Sequence, residues 1–129
     1  MRKKFFVSVC VAVVLLMNMV IPVYAQLDYD TNTSIILTLS FSSNEASCYA
    51  KIRGGNGATE ITDGTLTLTD SSGTVVEKWD NLSSLSSILI VSKTAKDVTK
   101  GETYTLTITA TVKTSSSSET ITESVTRTY

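Results

Sequence analysis

Between Thr103 and Val112 the chain alternates between two chemistries at every step. Tyr104, Leu106, Ile108, Ala110 and Val112 fall on one side of an extended strand, and Thr103, Thr105, Thr107, Thr109 and Thr111 on the other. Side chains of a β-strand alternate with a period of two, so the pattern predicts a long, half-buried antiparallel strand with an apolar inner face and a hydroxyl outer face. A chain built around such a strand has to supply others to pair with it and a second layer to cover its apolar face.

The first residues belong to something else. Arg2, Lys3 and Lys4 precede an apolar run from Phe5 to Val20, and Val23-Tyr24-Ala25 then places Val and Ala at the two positions a signal peptidase reads. Residues 1–25 are expected to be a cleaved signal peptide. A retained transmembrane anchor needs about 20 uninterrupted apolar residues, and would not be expected to end in a cleavage-like tripeptide. Cys10 sits too early in the run, behind Val9 rather than a small residue, for lipoprotein processing. Removal leaves 104 residues with eight Lys and Arg against twelve Asp and Glu, a net charge of −4. That balance argues against a nucleic-acid or anionic-membrane partner. The length suits one domain. Cys48 alone survives cleavage, so no intramolecular disulfide is available.

Residues 26–34 read as an acidic N-terminal arm. Asp28-x-Asp30-x-Asn32-x-Ser34 has the opening rhythm of a calcium loop, but Thr33 stands where the sharp turn wants Gly and Leu39 where a bidentate acid is needed. A domain over 35–129 follows. Ile35, Leu37, Leu39 and Phe41 alternate with Ile36, Thr38 and Ser40 up to the Ser42-Ser43-Asn44 turn. Ala46, Cys48, Ala50 and Ile52 form a second inward set. Gly54-Gly55-Asn56-Gly57 is a loop with no helix behind it to cradle phosphate. Asp63-Gly64 reads as a break before a strand carrying Leu66 and Leu68, and Asp70-Ser71-Ser72-Gly73 as a hairpin turn of the type I plus Gly-bulge kind. The return strand spans Thr74–Trp79, with either Val75-Glu77-Trp79 or Val76-Lys78 inward. A strand over Ser87–Val91 is preferred to a helical turn, Lys93–Lys100 reads as polar connection, and Ser115–Ser118 as a turn. Ile121, Glu123, Val125, Arg127 and Tyr129 share one face of a last strand, where the charges suit a sheet edge.

About seven short strands with turn signals between them and no long helical pattern predict an all-β fold, a single two-sheet antiparallel β-sandwich. Val98-x-x-Gly101-x-x-Tyr104-x-Leu106-x-Ile108-x-Ala110 resembles the strand F region of immunoglobulin-like and fibronectin type III-like domains. The resemblance implies an Ig-like sandwich in which Tyr104 is the corner tyrosine bonding back upstream and Val98 plugs the corner. Cys48 would lie on strand B, and Leu106 stands where the partner cysteine would be. The whole chain is also similar to small secreted proteins of Gram-positive bacteria, uncharacterised in activity, that carry a signal peptide and a lone sandwich module. That likeness implies a fold and a secreted, extracellular location, without a ligand.

The chain has no His, which removes the usual general base and the commonest transition-metal ligand. No carboxylate pair stands out, so an enzyme is not expected, nor a cofactor or metal. Cys48, on an apolar strand face, reads as a buried, inert thiol. The threonine rows offer a surface that orders water or stacks on carbohydrate. Against it stand the β-propensity of Thr and the twist of a sandwich sheet, which denies a flat lattice. Two functions remain: a binding or adhesion module at or near the cell surface, with an unknown protein or carbohydrate ligand contacted by loops at one end of the sandwich or by an aromatic such as Trp79, Tyr49 or Tyr29, or a structural, envelope-associated protein without a discrete site. A monomer is expected.

Overall fold

A computed structural model of the protein describes Tyr24–Ala25 and residues 32–129. The expected signal peptide and the calcium-loop-like acids Asp28 and Asp30 therefore lie outside the described residues, apart from the backbone of Tyr24–Ala25.

Eight strands follow one another: β1 (Tyr24–Ala25), β2 (Ser34–Ser42), β3 (Glu45–Arg53), β4 (Glu60–Asp70), β5 (Val75–Ser84), β6 (Ile88–Lys96), β7 (Thr103–Lys113) and β8 (Ser118–Thr128). They form two antiparallel four-stranded sheets, ordered β1-β2-β3-β6 and β5-β4-β7-β8. The protein is an all-β, two-sheet antiparallel β-sandwich. In constant-type immunoglobulin domains the fourth strand joins the first sheet; here β5 instead hairpins onto β4 in the second.

The alternation read from the sequence is the packing. Tyr104, Leu106, Ile108, Ala110 and Val112 of β7 are buried, and they meet Ile35, Leu37 and Leu39 of β2, Ala46, Cys48, Ala50 and Ile52 of β3, Ile61, Leu66 and Leu68 of β4, and Leu89 and Val91 of β6 in one core. Strand β7 is central to its sheet, with β4 on one side and β8 on the other in unbroken register from Thr103↔Thr128 to Lys113↔Ser118.

Three local expectations are corrected. Asp63-Gly64 does not break a strand but lies inside β4. Asp63 (φ 54°) takes a left-handed conformation that Asp tolerates, and two residues of β4, Asp63 and Gly64, there oppose one of β7, Ala110. Gly64 needs its missing side chain, because a Cβ would stand 2.8 Å from the Leu82 carbonyl oxygen. Strand β5 extends past Trp79 to Ser84, and its inward residues are Val76, Trp79 and Leu82, a spacing of three. Each candidate facing holds for part of the strand, because two of the three register shifts between β4 and β5 put an extra residue in β5. Val76 is an extra residue between Val75↔Thr69 and Glu77↔Leu68, and another follows Trp79, where Asn81 has φ 57°. Finally, Lys93–Lys96 belongs to β6 rather than to a connection, with Ala95 buried opposite Ala46.

The Asp70–Gly73 turn forms as expected. The Asp70 amide donates to the Thr74 carbonyl at 2.9 Å, and Asp70 Oδ1 accepts the amides of Ser72 and Thr74 and the Ser72 hydroxyl. Those donors, the Ser72 hydroxyl foremost, hold the Asp70 carboxyl below its ordinary range.

Candidate interaction surface

The residues singled out for structure converge at one end of the sandwich. Tyr104 is buried and its hydroxyl accepts the Thr99 backbone N–H at 2.8 Å. Val98 is buried beside it, and Gly101 turns the chain at φ 93°, a conformation that favours glycine. This is the corner that the resemblance implied. Other residues complete it. Phe41 at the end of β2 stacks on Tyr129 at 4.9 Å and lies 5.7 Å from the Tyr104 ring. The Tyr129 hydroxyl accepts the Asn44 amide at 2.8 Å, and its backbone exchanges hydrogen bonds with Gly101 and Glu102. The corner thus joins the β2–β3 turn, the β6–β7 connection and the end of β8. No spacing in the sequence places Tyr129 against Phe41, since that contact exists only through the sheet-to-sheet packing.

Cys48 is buried on the inner face of β3 between Leu39 and Lys93. Burial pushes its thiol up to about 11. Leu106 and Ile108 are core residues of β7.

Trp79 and Tyr49 do not come together. Trp79 faces inward from the edge strand β5, half-buried against the core and opposite Leu66. Tyr49 is half-buried on the outer face of the other sheet, between Thr38 and Ser92. Among the described residues no group of His, Cys, Asp or Glu is placed to hold a metal ion. One shallow groove lies between edge strands β5 and β6, bordered by Asn81, Leu82, Leu89 and Lys93; another lies at the corner, by Asn44, Asp97 and Lys100.

The two outer faces differ in kind. On the second sheet, hydroxyls pair across β7 and β8: Thr103 with Thr128 at 2.7 Å, Thr105 with Thr126 and Thr107 with Ser124 at 2.8 Å, and Thr109 with Thr122 at 3.2 Å. These hydroxyls are turned to one another, an arrangement that strengthens the sheet. On the first sheet, one row running across the strands reads Ile36, Lys51, Ile90, and the next reads Ser34, Arg53, Ile88. Ile36 and Ile90 are 43 % and 56 % exposed. Tyr49 borders the same row, and Leu85, 88 % exposed, sits on the turn leading into β6. Apolar and cationic groups therefore share one face of an otherwise acidic protein. The sequence shows these residues singly; their adjacency comes from the cross-strand register.

No protein-family model and no curated relative matches the chain. Solved structures with a similar fold include a β-glucuronidase of Parabacteroides merdae (21 % identity, TM-score 0.45, over 70 % of this chain) and β-glucuronidase 3 of Bacteroides uniformis (16 %, 0.45, over 78 %). A β-D-glucuronidase of Dictyoglomus thermophilum is also similar (14 %, 0.40, over 72 %). The chain spans only 12–14 % of these enzymes' lengths.

Proposed function

We propose that the protein is a secreted, non-enzymatic binding module that acts at or near the cell surface after removal of residues 1–25, through the outer face of the β2-β3-β6 sheet. The observation that carries this reading is the row Ile36–Lys51–Ile90 with Arg53 and Tyr49 beside it. Isolated exposed apolar residues are ordinary on protein surfaces, whereas a contiguous group is a mark of recognition. The aliphatic stems of Lys51 and Arg53 extend the apolar area while their charged ends favour a partner with acidic groups. The ligand is therefore a protein or carbohydrate presenting carboxylates beside an apolar surface. The absence of His supports the non-enzymatic part of the reading.

An array of acidic and neutral glycans and surface proteins tests it. The expected result is binding to acidic members, reduced by Lys51→Glu or Ile90→Ser and preserved by Ser124→Lys on the threonine face. Binding lost only with the threonine-face variant, or none to any acidic member, would overturn the assignment of the face.

A further inference from the structure

Among the described residues, three of the four outer strand edges of this sandwich carry devices against pairing with another strand, and the fourth carries none. Strand β5 carries Glu77, Lys78 and Asp80 and two bulges, each with an extra residue against β4. Strand β6 turns Lys93 toward the interior between the buried Val91 and Ala95, and β8 does the same with Glu123 between Ile121 and Val125. Inward charges and bulges of this kind discourage edge-to-edge association. Strand β2 has none of these devices. Its nine residues, Ser-Ile-Ile-Leu-Thr-Leu-Ser-Phe-Ser, hold no charge and no proline, and they run against β3 in unbroken register from Ser34↔Arg53 to Ser42↔Glu45. On its outer side, among the described residues, only Tyr24 and Ala25 are paired, opposite Ile36 and Ile35.

The same nine residues are close to a palindrome in chemical type about Thr38. Antiparallel pairing of two copies around a two-fold axis at that residue sets Ser34 against Ser42 and Thr38 against its own copy on the outer face. On the inner face it sets Ile35 against Phe41 and Leu37 against Leu39. The outer pairs are hydroxyl on hydroxyl, as between β7 and β8 of this protein, where such pairs lie 2.7–3.2 Å apart. The inner pairs join two apolar faces into one. Ile36 meets Ser40, the one pair unlike in type.

We propose that β2 is a self-complementary docking edge, and that the protein without residues 1–25 forms a two-fold dimer by antiparallel β2–β2 pairing centred on Thr38. The seated β1 shows that this edge accepts an antiparallel strand. An isologous pair of uncharged strands brings no like charges together. The inference rests on the leader reading, because Tyr24 and Ala25 otherwise occupy Ile35 and Ile36. It replaces the monomer expected from the sequence, and it joins the binding faces of two copies into one wider surface.

Intact mass and sedimentation equilibrium on the same secreted sample test it, together with three variants. Thr38 is exposed, so Thr38→Lys places two ammonium groups face to face at the axis without disturbing the core; Ser92→Lys makes the equivalent change on the outer face of β6. Thr38→Cys is read on a non-reducing gel, since directly opposed strand residues lie within disulfide reach, while Cys48 is buried and does not interfere. The expected results are a dimer starting at Gln26, a monomer with unchanged circular dichroism for Thr38→Lys, a dimer for Ser92→Lys, and a covalent dimer for Thr38→Cys. A monomer starting at Gln26 at high protein concentration, or a dimer that survives Thr38→Lys and fails to cross-link through Cys at 38, overturns the inference and leaves the leader reading standing. A mass that retains residues 1–25 overturns the leader reading and the dimer with it.

Discussion

Tyr104 shows how one side chain ties sequence to packing. Its ring fills the core and its hydroxyl satisfies the Thr99 amide, so Tyr104→Phe keeps the first and removes the second. The expected loss is about 0.5–1.5 kcal/mol, seen as a lower denaturant midpoint with an unchanged slope; an unchanged midpoint would show that the bond contributes nothing. Cys48 gives a second prediction at this scale. Its thiol ionises near 11 in the folded protein against 9.0 when unperturbed. The folded state therefore favours the protonated form, and that stabilisation is complete below the unfolded value and is lost as pH rises through the folded one. Stability is expected to fall between those pH values, and Cys48→Ala to flatten that part of the profile. Ellman's reagent should label Cys48 slowly in native buffer and fully in denaturant. The roles of Tyr104, Val98 and Cys48 were legible because a two-residue period decides which side of a strand faces in. Those of Phe41 and Tyr129 were not, because their partners lie across the sandwich.

At the scale of the element, regular strands were readable and irregular ones were not. Strands β2, β3 and β7 alternate cleanly and were expected at nearly their observed bounds. Strand β5 buries every third residue because bulges at Val76 and around Asn81 shift its facing twice, and no periodic template describes that. Gly64 and Leu82 are paired between two of the register shifts, and a Cβ on Gly64 would stand 2.8 Å from the Leu82 carbonyl oxygen. Gly64→Ala is expected to cost about 1–3 kcal/mol through overpacking, measured by thermal or denaturant unfolding, and a neutral result would mean that β5 shifts freely. Glu123 on β8 makes an electrostatic prediction. Burial raises its carboxyl above the ordinary range, so the ionised form is the disfavoured one in the fold. The sign follows from linkage: stabilisation is present below the unfolded pKa and lost as pH rises through the folded value. Glu123→Gln should therefore raise the midpoint at neutral pH, and the gain should shrink on acidification; a variant less stable at neutral pH would contradict this.

For the whole molecule, two sheets with different outer faces give the protein a direction. The threonine face is a hydrogen-bonded ladder, and the face bearing Ile36, Lys51, Arg53 and Ile90 is the one we propose for recognition of a partner. The sandwich class was legible from strand count and turn spacing. The face was not, because Ile36, Lys51 and Ile90 are far apart in the chain and become neighbours only through the β2–β3–β6 register. Intact mass of the secreted protein is expected to begin at Gln26, and a product retaining residues 1–25 would contradict the leader. The account as a whole turns on which face binds. Titration of labelled protein onto the surface of the cells that produce it should give saturable binding, lost in the Lys51→Glu, Ile90→Ser double variant and kept in Ser124→Lys, with both variants folded by circular dichroism. Saturable binding that the double variant retains, or no saturable binding by the native protein, would contradict it.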